Sequence, residues 1–151
     1  MNYFNIKIDI PKIVGISTII IILLLVIFKV LNHSTIEMNN SNFTTILRES
    51  HNNLEKYLGK RIKTSGYIFR RSDFPYANFV IARDMLISEN EANIVGFYCT
   101  YEFANEFENN QWVEATGTII LGDYFGPIPI LKIDTIHKIN TPNDIFVNPP
   151  N

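Results

Sequence analysis

Apolar and polar positions along this chain change their period twice, and each change marks a different kind of structure. From Ile13 to Phe28 no residue is charged, and the apolar run is broken only by small or weakly polar residues. The run is 16 residues long, or 19 if Lys29 extends its ammonium to the interface and Val30 and Leu31 are added. A bilayer core takes about 17–25 helical residues. The pattern therefore predicts one transmembrane helix over residues 13–31. A cleaved signal peptide fits less well, because "KVLNHST" follows the run with no Ala-x-Ala site and no lipobox cysteine. A buried core helix fits less well again. A helix apolar all round needs a larger protein than the rest of a 151-residue chain can build. Lys7, Lys12 and the amino terminus precede the span and only Lys29 follows it closely. The positive-inside rule then puts residues 1–12 in the cytoplasm and everything after the span outside, in the cell membrane of a single-pass protein.

Residues 32–42, "NHSTIEMNNSN", are polar and without period, and read as a linker. Period 3.6 appears next. Phe43, Ile46, Leu47, Leu54 and Leu58 share one helical face, with Asn42 as N-cap and Gly59 as the stop. From Arg61 the period is two. "RIKTSGYIF", "NFVIARDMLI", "NIVGFYC", "QWVEATGTIIL" and "PILKIDTIHKI" read as five strands. "RRSDFPY" is a turn, "TYEFANEFENN" a short helix, and "GDYFGP" a hairpin loop. Strand, strand, strand, helix, strand, strand is the layout of the OB-fold, a partly open Greek-key barrel. Gly66 and Gly117 fall in mid-strand, where a barrel must bend. A plain antiparallel sandwich is the competing arrangement, and the helix between strands three and four favours the barrel. The fold expected is mainly β: an OB-like barrel over 43–140, preceded by the amphipathic helix and the transmembrane helix, with an extended tail at 141–151.

Charge changes what such a barrel is expected to bind. From Glu37 onward ten Lys and Arg stand against fourteen Asp and Glu. A domain that neutralises phosphates is basic, so nucleic acid is not an expected partner. Six of the ten positive charges lie between Lys56 and Arg71, a run that suits a solvated edge or anionic headgroups above the anchor. Tyr67, Phe69, Tyr98, Tyr124 and Phe125 are aromatic and able to stack on a ligand, although a small barrel needs most of them for its core.

Catalytic patterns are absent. His33, His51 and His137 have no ligand spacing, and there is no nucleophile elbow, Walker loop, dinucleotide turn or zincin helix. No enzyme, cofactor or metal is expected. The polar knot Ser88–Asn93 reads as a loop, because Cys99 is the only thiol and no histidine lies between His51 and His137. A weak hard-cation site survives there only if Asp84, Glu89 and Glu91 converge. Cys99 itself reads as a small buried hydrophobe on a strand, and a lone cysteine suits an extracytoplasmic domain without disulfides.

"YLGKRIKTSGYIFRRSDFPYANFVIAR", "QWVEATGTI" and "PIPILKIDTIHKINTPND" together resemble the C-terminal domain of the bacterial two-component membrane permease complex subunit family, over roughly Phe43 to Pro150. The most specific pieces are Gly59-Lys60, Gly66-Tyr67, the Arg70, Asp73, Phe74, Phe79, Ala82 and Arg83 series, and Trp112-Val113 with Gly117. The resemblance implies an accessory subunit whose companion is a polytopic permease. The chain departs from the family pattern in having one span and in lacking a Ser-Cys-Cys: Ser88 is followed here by Glu89-Asn90. No thiolate role carries over. Candidate contacts for the partner or a ligand are Tyr67, Phe69, Arg70, Arg71, Arg83, Tyr124 and Phe125. The alternative to a permease subunit is a stand-alone surface module for an oligosaccharide or cell-wall ligand. The topology has a direct test: a membrane-impermeant thiol reagent should label Thr35→Cys on intact cells. Labelling that requires permeabilisation would reverse the orientation.

Overall fold

The predicted alternation at Arg61 is borne out residue by residue: Ile62, Thr64, Gly66 and Ile68 are buried and their neighbours face outward. The computed structural model describes residues 21–24 and 34–150. Two units divide the chain, Met1–His33 and Ser34–Asn151. The expected transmembrane span and the cytoplasmic N-terminus lie outside the described residues except for Ile21–Leu24, which are helical. Among the described residues no helix is long and apolar enough to cross a membrane. The second unit holds the strands.

Its elements in chain order are β1 (Ile36–Glu37), α1 (Phe43–Asn52), α2 (Leu54–Tyr57), β2 (Arg61–Phe69), β3 (Asn78–Ser88), β4 (Glu91–Thr100), a 3-10 turn (Ala104–Glu106), β5 (Trp112–Asp123), β6 (Pro127–Lys138) and β7 (Phe146–Val147). Antiparallel pairing joins β2 to β3, β3 to β4, β5 to β6 and β2 to β5. A short parallel pairing, Cys99 with Leu131 and Thr100 with Lys132, joins β4 to β6 and closes the ring. The result is a closed five-stranded barrel with the strand order expected of an OB-fold. Ile62, Ile68, Phe79, Ile81, Phe97, Cys99, Val113, Ile119 and Leu131 fill it, each fully or almost fully buried.

Several expectations change on contact with the structure. The amphipathic helix is two helices, broken at Asn53, whose backbone (φ −130, ψ 51) is not helical. Asn42 holds the N-cap position, but its side chain makes no capping bond. Its side chain accepts from the Asn39 amide (2.7 Å) and donates to the Glu37 carbonyl (3.0 Å), tying down the segment that precedes the helix. Because of the break, Tyr57 takes the buried place at the helix end and Leu58 is left exposed. Tyr57 donates to Glu49 (2.7 Å), and burial first, then that carboxylate, pushes its hydroxyl pKa up to about 12. Gly59 does stop the helix, at φ +75.

The helix expected between strands three and four is only the 3-10 turn. Phe107 is buried, but Phe103 points out, so the segment has one apolar anchor rather than a helical stripe. The stretch read as a linker contributes β1, which pairs with Ile62 and Lys63 of β2. The stretch read as an extended tail contributes β7, which pairs with Asp84 and Met85 of β3 and buries Val147.

Mid-strand glycines make the closure possible. A Cβ on Gly66 would run into the Ala82 carbonyl oxygen of β3. At Gly117 the β5–β6 register slips by one residue, a bulge that bends the pair. Replacing Gly66 with Ala should cost ~1–3 kcal/mol, since backbone rather than a mobile side chain must move. Urea unfolding of the variant, followed by circular dichroism, measures this. A midpoint equal to the wild type would mean that the barrel does not need the close approach.

Candidate functional site

Tyr98 poses a packing problem. Its neighbours Phe97 and Cys99 point into the barrel, so the alternation of a strand sends Tyr98 outward. It is nonetheless only 8% exposed. The cover comes from two loops. Phe74, in the loop between β2 and β3, packs edge-on against it at 5.1 Å between ring centroids. Tyr124, at the tip of the β5–β6 hairpin, stacks on it at 5.1 Å with only 22° between the planes. Phe74 and Tyr124 also meet edge to face at 5.6 Å. Asn78 donates to the Tyr98 hydroxyl (2.9 Å).

The hairpin tip then carries Phe125 beyond this cluster. β5 and β6 pair as far as Asp123 and Pro127, which leaves a three-residue loop, Tyr124-Phe125-Gly126. Phe125 adopts φ 57, in the left-handed region, and is 92% exposed. A bulky residue there stores strain of order 1 kcal/mol. Its ring meets that of Tyr124 edge-on at 4.8 Å and is otherwise in solvent. Tyr76, in the facing loop, is also largely exposed.

Polar groups frame the rings. Arg71 pairs with Asp73 through two bonds, 3.0 and 3.2 Å, and Tyr124 donates to the same carboxylate at 3.2 Å. Desolvation pushes Asp73 upward, but its backbone amide, Tyr124 and Arg71 outweigh it and hold the carboxyl below the usual range. Partial desolvation and then Asp73 push the Tyr124 hydroxyl up. The rim thus offers flat apolar faces beside one self-neutralised ion pair. It can hold an apolar or neutral surface by stacking and hydrogen bonding.

Of the residues singled out from the sequence, Arg71, Tyr98, Tyr124 and Phe125 meet here. The others do not. Phe69 ends β2, half-buried opposite Val80. Arg70 turns inward, bonds the carbonyls of Phe107 (2.7 Å) and Ala104, and lies over the Phe79 ring, pinning the 3-10 turn. Tyr67 donates to Asp84 (2.8 Å) and packs on Trp112. Burial, then Asp84, raises its pKa. Arg83 is 2% exposed and no surface contact at all. Its guanidinium reaches Asn40 Oδ1 (2.5 Å) and the carbonyls of Ile145 (3.1 Å), Asp144 (3.2 Å), Ser65 (3.4 Å) and Phe146 (3.5 Å). It also lies over the Trp112 ring at 5.1 Å. Burial lowers its pKa and Asp144 and Asp84 oppose this, but guanidinium stays charged. Sequence reading missed Phe74 as part of the rim. An outward tyrosine beside inward Phe97 and Cys99 was the available sign that something covers it.

The knot at Ser88–Asn93 closes the β3–β4 hairpin: only Glu89 and Asn90 are turn, and Glu91, Ala92 and Asn93 already belong to β4. Ser88 pairs with Glu91, and a bulge precedes it. Asp84 stays in extended strand opposite Ile94, so the three carboxylates do not converge. Among the described residues no group of three His, Cys, Asp or Glu side chains comes together. Cys99 is fully buried and its thiol donates to the Phe97 carbonyl; burial pushes its pKa up to about 12. The basic run is largely paired: Lys56 with Glu49, Arg61 with Asp134, Lys63 with Glu114 and Arg71 with Asp73.

Two substitutions separate scaffold from surface. Arg83→Ala leaves Asn40 and several carbonyls without their donor and should cost at least ~3 kcal/mol. Phe125→Ser removes only an exposed ring and should change stability by less than ~0.5 kcal/mol. Chemical denaturation at constant m-value measures both. A costly Phe125→Ser would mean that the ring serves the fold.

No curated protein sequence matches the chain. Among solved structures it is similar to the mitochondrial single-stranded DNA binding protein Rim1 from S. cerevisiae, at 15% identity and TM-score 0.37, over 57% of this chain and 99% of that one. It is similar also to the OBody NL8 bound to hen egg-white lysozyme, at 10% identity and TM-score 0.37, over 56% of this chain and 100% of that one. A third is the small single-stranded DNA-binding protein from Streptomyces coelicolor, at 8% identity and TM-score 0.33, over 54% of this chain and 93% of that one. What those proteins bind does not pass to this chain. A family model matches residues 26–149, and the chain belongs to that family, described as the DUF1980 C-terminal domain.

Proposed function

We propose that the chain is a membrane-anchored accessory subunit of a permease complex, without catalytic activity of its own. In this reading the 13–31 helix holds it in the bilayer, the N-terminus stays in the cytoplasm, and the barrel stands outside to dock on a polytopic permease subunit. The observation that carries the docking role is Phe125, held in strained backbone with its ring 92% exposed beside the Tyr98–Tyr124 stack. Rigid aromatics of this kind supply much of the energy at protein interfaces. The resemblance over Phe43 to Pro150 supplies the nature of the partner. The excess of acidic over basic residues from Glu37 onward argues against nucleic acid as the ligand of the rim.

A surface module for an oligosaccharide or cell-wall ligand is the second reading. The same rim favours it, because aromatic faces beside the Arg71–Asp73 pair also suit a neutral sugar with its hydroxyl groups. The two readings part in one experiment. If its genomic neighbour encodes a polytopic membrane protein, the chain co-expressed with that protein should co-purify in mild detergent. Phe125→Ser should weaken recovery by an order of magnitude or more, as a lost hot spot of about 2 kcal/mol requires. A chain that stays alone beside its genomic neighbour sinks the permease reading. Saccharide binding that Phe125→Ser abolishes would put the second in its place.

A further inference from the structure

The barrel closes through five pairings among β2, β3, β4, β5 and β6. Neither β1 nor β7 takes part in that ring. They fill a seam instead. β2 and β3 pair only at Tyr67–Phe69 with Val80–Ala82 and then part. Below the split, Ile36 and Glu37 pair with the free edge of β2, and Phe146 and Val147 pair with the free edge of β3. Each added strand has two residues, too short to hold a sheet edge alone.

What holds them is each other. Asn40 Nδ2 donates to the Asp144 carboxylate (2.7 Å) and carbonyl (3.3 Å), and its carbonyl accepts from the Asn148 amide (3.4 Å). Thr44, at the start of α1, donates to the Asn148 carbonyl (2.6 Å). Arg83 bridges both sides, to Asn40 and to the backbone of Asp144 and Ile145. One apolar side chain on each side is buried, Met38 and Val147. Around them the segments are half-buried or exposed, and Thr141, Asn143 and Asp144 face solvent.

We infer that the lead-in Ile36–Asn40 and the tail Asp144–Asn148 are a single latch that opens as a unit while the five-stranded barrel stays closed. Removing either segment takes from the other its hydrogen bonds across the seam, so each stabilises the other by the same amount. The ring keeps every one of its own pairings when the latch opens. Opening uncovers the backbone edge of β3 at Asp84–Met85 and brings the Arg83 guanidinium to the surface. Displacement of the lead-in at Asn40 therefore releases the tail at Asp144, more than a hundred residues away in sequence. This goes beyond the docking role of the rim and does not depend on it.

Cys99, buried inside the ring, is a built-in monitor of barrel opening, and a second thiol reports on the latch. In the full-length chain carrying Val147→Cys, the rates at which N-ethylmaleimide modifies the two thiols are read separately by mass spectrometry. The introduced thiol should react at least tenfold faster than Cys99. Asn40→Ala should raise its rate several-fold again without changing that of Cys99. Reciprocally, Asp144→Ala should accelerate labelling of Met38→Cys while Cys99 stays protected. Equal rates at both thiols, or a rise at Cys99 in step with the other, would show that the segments open only with the barrel. An unchanged rate at Val147→Cys in the Asn40→Ala chain would show that lead-in and tail are independent. Either result overturns the inference.

Discussion

A buried guanidinium sets the terms on which this domain is built. Removing Arg83 from water is costly unless nearly every N–H finds an acceptor. No single carboxylate does this. The acceptors are an asparagine side chain from before α1, a carbonyl of β2 and the backbone of the tail. The ring faces of Trp112 and Phe43 complete the shell. One side chain on β3 thereby fixes where the chain enters the barrel, where it leaves, and how β5 lies across the two. The planar fork matters: a lysine ammonium, a point charge, would not reach four segments at once.

The same fact redistributes the meaning of the arginines. On sequence alone Arg70, Arg71 and Arg83 look equivalent, three cations near the strands that OB-folds use for ligands. In the structure Arg70 pins a turn, Arg83 ties the seam, and only Arg71 reaches the rim, where Asp73 neutralises it. A positively charged binding face does not exist there. What remains at the rim is aromatic, and its character is apolar and shape-selective rather than electrostatic.

Legibility in the sequence followed the range of the interactions. The alternation of Ile62, Thr64, Gly66 and Ile68, the barrel order of the strands, the bulge at Gly117 and the stop at Gly59 read correctly. The helix break at Asn53 did not, because a single asparagine in a helical pattern is a weak marker whose effect depends on Tyr57 finding Glu49. The lead-in and tail were illegible for a stronger reason. "NHSTIEMNNSN" and "TPNDIFVNPP" are polar and aperiodic, as linkers are, and each contributes one buried side chain. Their order comes from partners such as Asn40 and Asp144, 104 residues apart. No window along the sequence contains both. The rim was half legible: Tyr124 and Phe125 stand out in a Gly-bounded loop, whereas Phe74 looks like part of an ordinary turn.

Those distances also impose an order of assembly. The β3–β4 and β5–β6 hairpins close over short loops and lose little chain entropy in forming. The seam must wait. On the ribosome the tail is made after everything it bonds to, so Arg83 is translated long before the carbonyls of Asp144 and Ile145 exist. Until they arrive its guanidinium has no dry environment to enter. Nascent chains of this domain should therefore keep Arg83 solvated and the seam open while the hairpins are already in place.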